Sequence, residues 1–487
     1  MTRHLIIDVG TSSVRVSMMR EDASVACELH RDFLPDSPAP GMVEFDAGRL
    51  GSVILELASA VIEDVGVPDV VGITNQRGST VVWDRDTGEP VGPAHGWQDL
   101  RTIGDCLTLQ AEGLRLAPNM PATKAKWLLD TFDPNRSRNL AIGTVESWVA
   151  SVLSHGALHV SDPSNAGVTG YWNEQGWDGG ALEILGIPGR MLPTIVDSTG
   201  VCGQASALVG APPIGALIGD QQASLVGQGC VERGLAKFTF GTGGMLDVCL
   251  GREEPSFEAR GPRGTFRIAA WRDPRGVAWG IEAIMLSAGT CVEWLRDDMG
   301  LIGSASDSDT MAASVPDTGG VMFVPALLGL GTPEWDYGAR GTLTGLTRGS
   351  TAAHVVRAVL EGIAHRAADM HEAAEQDAQL PLTSLRVDGG MSDNATFMQS
   401  LANITGVTIE VSPVREATTR GASLLAGVAV GVHANVESTS ALWEPSRRVE
   451  PETSSTGLAA RSDQRGAWTE ARTRAEGWIE GLSAISF

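Results

Sequence analysis

The sequence predicts an α/β protein built of two large, duplicated domains. Three observations carry the prediction. A chain of 487 residues is too long for one core at about 150 residues per domain. Near the N-terminus, His4-Leu-Ile-Ile-Asp8-Val-Gly10-Thr11-Ser12-Ser13-Val-Arg15-Val-Ser-Met-Met19 sets two apolar runs on either side of a Gly-Thr-Ser-Ser turn, the pattern of a tight β-hairpin. The same strand, Gly-Thr tip and strand recur at Ala236-Lys-Phe-Thr-Phe240-Gly241-Thr242-Gly243-Gly244-Met-Leu-Asp-Val-Cys-Leu250, which reads as a duplication.

Each tip suits an anion. Gly10 permits backbone angles at which successive N–H groups converge, and the hydroxyls of Thr11, Ser12 and Ser13 add donors, so the turn makes a phosphate-binding nest. Asp8, closing the first run, is placed to reach a divalent cation through water, because magnesium keeps much of its shell. An ordinary hairpin is the alternative reading of the first tip taken alone.

Composition narrows the function. With 43% apolar and 20% charged residues the chain has a soluble globular makeup. A net charge of −23 argues against nucleic acid and anionic membranes as partners, since both reward a basic surface. Phosphate must then be held locally by nests, a few cations and a bound metal. Six cysteines without a Cys-x-x-Cys pair indicate neither a zinc site nor a disulfide framework, but buried thiols in a reducing compartment. Without a leader pattern or a run of about 18 apolar residues, the cytoplasm is the expected location and no membrane insertion is expected.

Taken in order, Pro40 to Asp46 is a turn feeding a helix with Leu50, Val53, Ile54, Leu57 and Val61 at helical spacing. A buried strand, Val70 to Thr74, runs into Asn75-Gln76-Arg77-Gly78-Ser79-Thr80, and polar residues at the mouth of apolar strands are where α/β proteins place ligands. In Gly96-Trp97-Gln98-Asp99, Trp97 reads either as a core tryptophan or as a ring stacking on a carbohydrate beside paired donors and acceptors. A helix from Pro121 to about Phe132 carries Lys124 and Lys126, with Trp127 and Leu128 on its apolar side.

The strings Gly72-Ile-Thr-Asn-Gln-Arg77, Trp97-Gln-Asp99, Ala122-Thr-Lys-Ala-Lys-Trp127 and Gly219-Asp220-Gln221-Gln222 resemble the glycerol-kinase branch of the FGGY family of carbohydrate kinases. The resemblance runs on through Phe323 to Gly331, Trp335-Asp336, Ala339 to Arg348, Gly341 to Glu361, Arg386-Val-Asp388-Gly389-Gly390 with Asn394, and Val414-Arg-Glu416 with Gly421-Ala422, over roughly 440 residues. It implies two actin-like (ribonuclease H-like) ATPase domains, 1–227 for substrate and phosphate and 228–487 for nucleotide.

The later segments also read from their own residues. Leu385 to Asp388 is a strand ending in two glycines, and Ser392 is expected to cap a helix with Phe397, Leu401 and Ile404 on one face, stopped by Gly406. Helix 351–377 is a core helix, on which His354 and His365 are structural or exposed rather than ligands. Arg448 to Gln464 reads as a linker, followed by a last amphipathic helix with Trp468, Trp478, Ile479 and Leu482 on one side.

An alcohol is a weak nucleophile, so phosphoryl transfer to it needs a carboxylate to take the proton, a metal on the phosphates and exclusion of water. Asp220 follows the buried strand Ile214 to Gly219 and reads as either a helix N-cap or a cleft carboxylate; the resemblance makes it the general base. The resemblance likewise assigns Gln76, Arg77, Gly78, Trp97, Asn119, Asp220 and Gln221 to the acceptor. To ATP it assigns Thr11, Ser12, Ser13, Arg15, Gly241 and Thr242, with Gly389, Gly390 and Asn394 at the adenine, and to Mg2+ Asp8.

Two positions depart from the glycerol-kinase pattern. Gly78 stands where a glutamate follows the arginine, and Asn119 where a tyrosine stands. Losing both hydroxyl contacts, at about 1–3 kcal/mol each, weakens specificity for glycerol. Gly78 is also expected to open room for one or two hydroxymethine groups, so the expected acceptor is a C4 or C5 polyol or ketose phosphorylated at a terminal hydroxyl. The alternatives are a true glycerol kinase with a rebuilt pocket and a non-catalytic nucleotide- or sugar-binding sensor; a chaperone-type ATPase would need a peptide-binding domain that the sequence after 450 does not offer. The resemblance also implies a homodimer or homotetramer without deciding between them.

Overall fold

The computed structural model describes residues 2–485. Two mixed sheets carry the α/β architecture. In the first, strands β1 (Arg3–Val9), β2 (Ser13–Arg20), β3 (Val25–Asp32), β4 (Val70–Asn75), β5 (Thr199–Gln204) and β6 (Pro213–Gly219) lie in the order β5-β6-β4-β1-β2-β3. In the second, β7 (Ala236–Phe240), β8 (Gly244–Gly251), β9 (Phe266–Asp273), β10 (Gly276–Met285), β11 (Ser384–Asp388), β12 (Thr408–Val411) and β13 (Arg447–Val449) lie in the order β9-β10-β8-β7-β11-β12-β13. With β5 left out of the first sheet and β9 and β13 out of the second, each is an antiparallel meander of three strands continued by two parallel ones. The duplication suggested by the two hairpins is therefore a repeat of topology.

Helix α1 (Ala47–Val65) starts at Asp46, whose side chain accepts the Arg49 N–H, and buries Leu50, Val53, Ile54, Leu57 and Val61 as their spacing requires. Helix α2 (Pro121–Phe132) has the predicted bounds. The halves are joined by α3 (Asp220–Gly227), which ends the first half, and by α7 (Ala417–Ala429) of the second half, which also holds α4 (Gly289–Asp297), α5 (Ala352–Ala378) and α6 (Ala395–Thr405). Of these, α7 packs on β1, β4 and β6 of the first sheet, while α3 packs on β8 and β9 of the second as well as on β6.

The two exchanged helices meet backbone to backbone. A Cβ on Gly227 would collide with the Ala417 carbonyl, and one on Gly421 with that of Ala223. An apolar seam that includes Ile6, Ile218, Val226, Trp271, Ala422 and Leu425 fills the space around them. Each of the larger of these side chains contributes about 1.5–3 kcal/mol on burial, so the seam is part of the core.

Three expectations are corrected. The proposed linker is the end of β13 followed by the first half of helix α8 (Ser455–Ala475), whose N-cap Ser454 accepts the Gly457 N–H. That helix buries Trp468 but stops at Ala475, so Trp478 lies beyond it, 69% exposed, and is not on the same face. The cap of α6 is Asn394, whose side chain accepts the Phe397 N–H; Ser392 sits in the short turn before it. His354 closes a capping box with Thr351, and His365 stacks on Trp468, both structural as read. The six cysteines are free thiols, and among the described residues no helix is long and apolar enough to cross a membrane.

Candidate active site

Most candidate residues lie at the C-terminal ends of five strands, β1 into the first tip, β4 into Gln76 and Arg77, β6 into Asp220, β7 into Gly241 and β11 into Gly389, whereas Trp97 and Asn119 stand in turns outside this set. Apolar, buried β6 delivers Asp220 as the first residue of α3, and the N-cap is Gly219, so the capping alternative does not hold. Asp220 Oδ1 accepts the Gln221 N–H at 2.8 Å and lies 3.4 Å from Arg77 Nε. Oδ2 has no protein hydrogen bond among the described residues. Burial pushes the carboxyl above its ordinary value, with Arg77 opposing.

Arg77 is gripped on its other side by Glu282, at 2.5 Å from Nη2. Glu282 on β10 stands opposite Asp247 on β8, which stands opposite Lys237 on β7. The Lys237 ammonium lies 2.8 Å from Asp247 Oδ2 and donates to Gln221 Oε1 at 2.7 Å and Thr239 Oγ1 at 3.0 Å. Burial pushes Asp247 up to about 7, with Lys237 opposing. Lys237, Asp247 and Glu282 received no role from the sequence, yet a signal was there. Each is a lone charge inside an apolar strand, and such a charge must find a partner on its face of the sheet.

Lys124 gathers the acceptor loops. From α2, wholly buried, its ammonium donates to the carbonyls of Gly78 at 3.4 Å, Trp97 at 3.1 Å and Asn119 at 3.2 Å. Burial lowers its pKa to about 7. Trp97 also donates from Nε1 to Thr11 Oγ1 at 3.1 Å, tying this pocket to the first tip, and the Gln76 N–H reaches the Val9 carbonyl at 2.7 Å. Asp99 is not free for a sugar hydroxyl: it is buried, paired with Arg101 at 2.8 Å and accepts the Val43 N–H at 2.6 Å.

Gly78 does not open the pocket. Its φ is +78°, and a Cβ there would stand 2.8 Å from the Asn119 carbonyl oxygen and 3.3 Å from Trp97 Cβ. The room expected from the missing side chain is occupied, beside the Cβ direction, by backbone.

On the nucleotide side, Asp8 pairs in register with Arg15, and its Oδ2 accepts the Thr419 hydroxyl at 3.1 Å. Burial pushes Asp8 up to about 7, against Arg15 and helped by Asp220. Arg15 is engaged by Glu416 across the seam and by Glu28 at 3.5 Å. The first tip is closed by the Gly10 N–H on the Ser13 carbonyl at 3.0 Å, and the Ser12 carbonyl accepts the Phe33 N–H at 2.8 Å.

In the second tip, the Gly241 and Thr242 carbonyls accept the Gly289 and Ala288 N–H groups, both at 2.9 Å, so α4 pins it. Gly389 lies against the Phe240 carbonyl, whereas a Cβ on Gly390 would meet nothing within 4 Å, a face open to a flat base. Asn394 spends both ends of its amide within the protein, on the Phe397 N–H at 2.8 Å and Ser308 Oγ at 3.1 Å. Among the described residues no three His, Cys, Asp or Glu gather into a metal cage. A buried carboxylate such as Asp8 suits a cation that keeps its water.

The model of the N-terminal domain of the FGGY family of carbohydrate kinases matches residues 4–227, and that of its C-terminal domain residues 236–430. The chain is 41% identical to a glycerol kinase of Trichlorobacter lovleyi, over 98% of this chain and 99% of that one. It is 39% identical to a glycerol kinase 2 of Thermotoga maritima, over 97% and 99%. Among solved structures, a Plasmodium falciparum glycerol kinase with ADP superposes with a TM-score of 0.90 at 26% identity, over 100% of this chain and 99% of that one. A ligand-bound xylulose kinase of Lactobacillus acidophilus, at 20% identity, shares the fold with a TM-score of 0.87 over 97% and 98%.

Proposed function

Because the chain belongs to the FGGY family of carbohydrate kinases, and so transfers phosphate to an alcohol, we propose that its acceptor is glycerol, phosphorylated by ATP at a terminal hydroxyl. The observation that carries the reading is Asp220 with a free Oδ2 beside Arg77 and Gln221, with Gly78, the residue after Arg77, against Trp97. Asp220 takes the proton of the reacting hydroxyl, Arg77 and Gln221 hold hydroxyl oxygens, and Trp97 offers an apolar face. Backbone N–H groups and hydroxyls of the two tips hold the phosphates, and the turn at Gly389, Gly390 and Asn394 borders the base. Mg2+, held through water by Asp8, neutralises phosphate charge when bound.

Glycerol is favoured over a longer acceptor because the space beside Gly78 is filled by Asn119 and because relatives of about 40% identity are glycerol kinases. A C4 or C5 polyol or ketose is the second reading, favoured by Asn119 standing where a tyrosine would bind a hydroxyl. ADP release from Mg-ATP over glycerol and a panel of C4 and C5 polyols and ketoses tests both. The highest kcat/KM is expected for glycerol, a preference for a longer compound establishes the second reading, and no turnover with any acceptor overturns both.

A further inference from the structure

Resting on the reading just given, in which Gln221 holds an acceptor hydroxyl, we propose that Lys237 is a positioning residue that fixes which end of the Gln221 amide meets the substrate. An ammonium has three donors and no acceptor. Here two are given to Gln221 Oε1 and Thr239 Oγ1, Asp247 Oδ2 pairs with the charge at 2.8 Å, and Lys237 is wholly buried. Turning the amide would set N–H groups against N–H groups, so chemistry as well as shape assigns the oxygen to Lys237. Gln221 Nε2 is then the free end, with no protein acceptor among the described residues. Gln221 meets the substrate as a donor.

The neighbouring carboxylates make this arrangement stable. A buried ammonium is costly unless paired, and Asp247 supplies its counter-charge from the facing strand. One strand further, Glu282 does the same for Arg77. Gln221 and Asp220 are thus each backed by a separate cation. The pocket offers adjacent side chains of opposite character: Gln221 gives a hydrogen bond and Asp220 takes one. A hydroxyl, both acceptor and donor, satisfies the two together, whereas an ether or a carboxylate does not.

The test uses the full chain and glycerol as probe. Gln221→Glu keeps shape and the bond from Lys237 but has no N–H to give. Glycerol affinity by calorimetry without nucleotide is expected to fall roughly tenfold or more, as far as in Gln221→Ala. Changing Lys237→Met together with Asp247→Leu removes both charges of the pair and strands neither. This variant is expected to keep its Tm and its KM for ATP, while KM for glycerol rises about tenfold and kcat changes less. Wild-type glycerol affinity in Gln221→Glu, or wild-type KM for glycerol in the folded double variant, overturns the proposal. Calorimetry of glycerol binding by the double variant, expected to show the same tenfold loss, reads Lys237 even if no phosphate is transferred, so a wild-type protein that binds glycerol without turnover defeats the kinase reading alone.

Discussion

At Gly78 and Lys124 single residues decide what the acceptor pocket can be. The glycine's positive φ and the Asn119 carbonyl 2.8 Å from its Cβ direction mean that restoring a glutamate adds strain and a clash together. Gly78→Glu is expected to lose about 1–3 kcal/mol of stability by denaturant unfolding without a gain in kcat/KM for glycerol; a stable variant with improved glycerol turnover would refute the closed-pocket account. Lys124 titrates near 7 when folded, below its ordinary value near 10. Between those values the unfolded chain binds the extra proton, so stability gains on the order of a few kcal/mol from this residue as pH rises from about 7 to 10 and loses it as pH falls back. Lys124→Met is expected to remove that rise, seen as a flatter dependence of unfolding free energy on pH. The residues that follow strand ends, Asp220, Gln221 and the two tips, were legible because each lies in a contiguous motif. The row of Lys237, Asp247 and Glu282 was not, because strand register far apart in the chain brings its members together.

Among the elements, the crossing of α3 and α7 fixes how the two sheets face each other. Their backbones touch at Gly227 and Gly421, so a side chain at either position must push the helices apart along their contact. Gly421→Leu is expected to cost more than about 3 kcal/mol or to prevent folding, whereas Gly466→Leu, at a glycine of α8 whose Cβ would meet nothing within 4 Å, is expected to be well tolerated. Thermal unfolding of the pair checks this. Helices with a strong apolar stripe, such as α1 and α5, could be read from spacing alone. The segment from 448 to 464 could not, because α8 carries a polar, largely exposed first half and is held mainly at Trp468 and the alanines that follow it on the same face. Its polar residues look like a loop until Ser454 is seen to cap it.

For the whole molecule, the two halves meet where chemistry is proposed. Thr419 and Glu416, at the start of α7, reach Asp8 and Arg15 of the first hairpin, so the helix that crosses from the second half also contacts the strands of that hairpin. That coupling was invisible in the sequence, which placed Arg15 and Asp8 by motif but gave no sign of their partners some 400 residues away. The central claim is transfer of phosphate to a polyol hydroxyl with Asp220 as base. Phosphorus NMR of Mg-ATP with glycerol tests it most directly, comparing the wild type with Asp220→Asn. A phosphomonoester and ADP are expected from the wild type, slowed at least about a thousandfold in the variant, whereas inorganic phosphate in place of the ester, or ester formation undiminished in Asp220→Asn, would contradict Asp220-assisted transfer to a polyol.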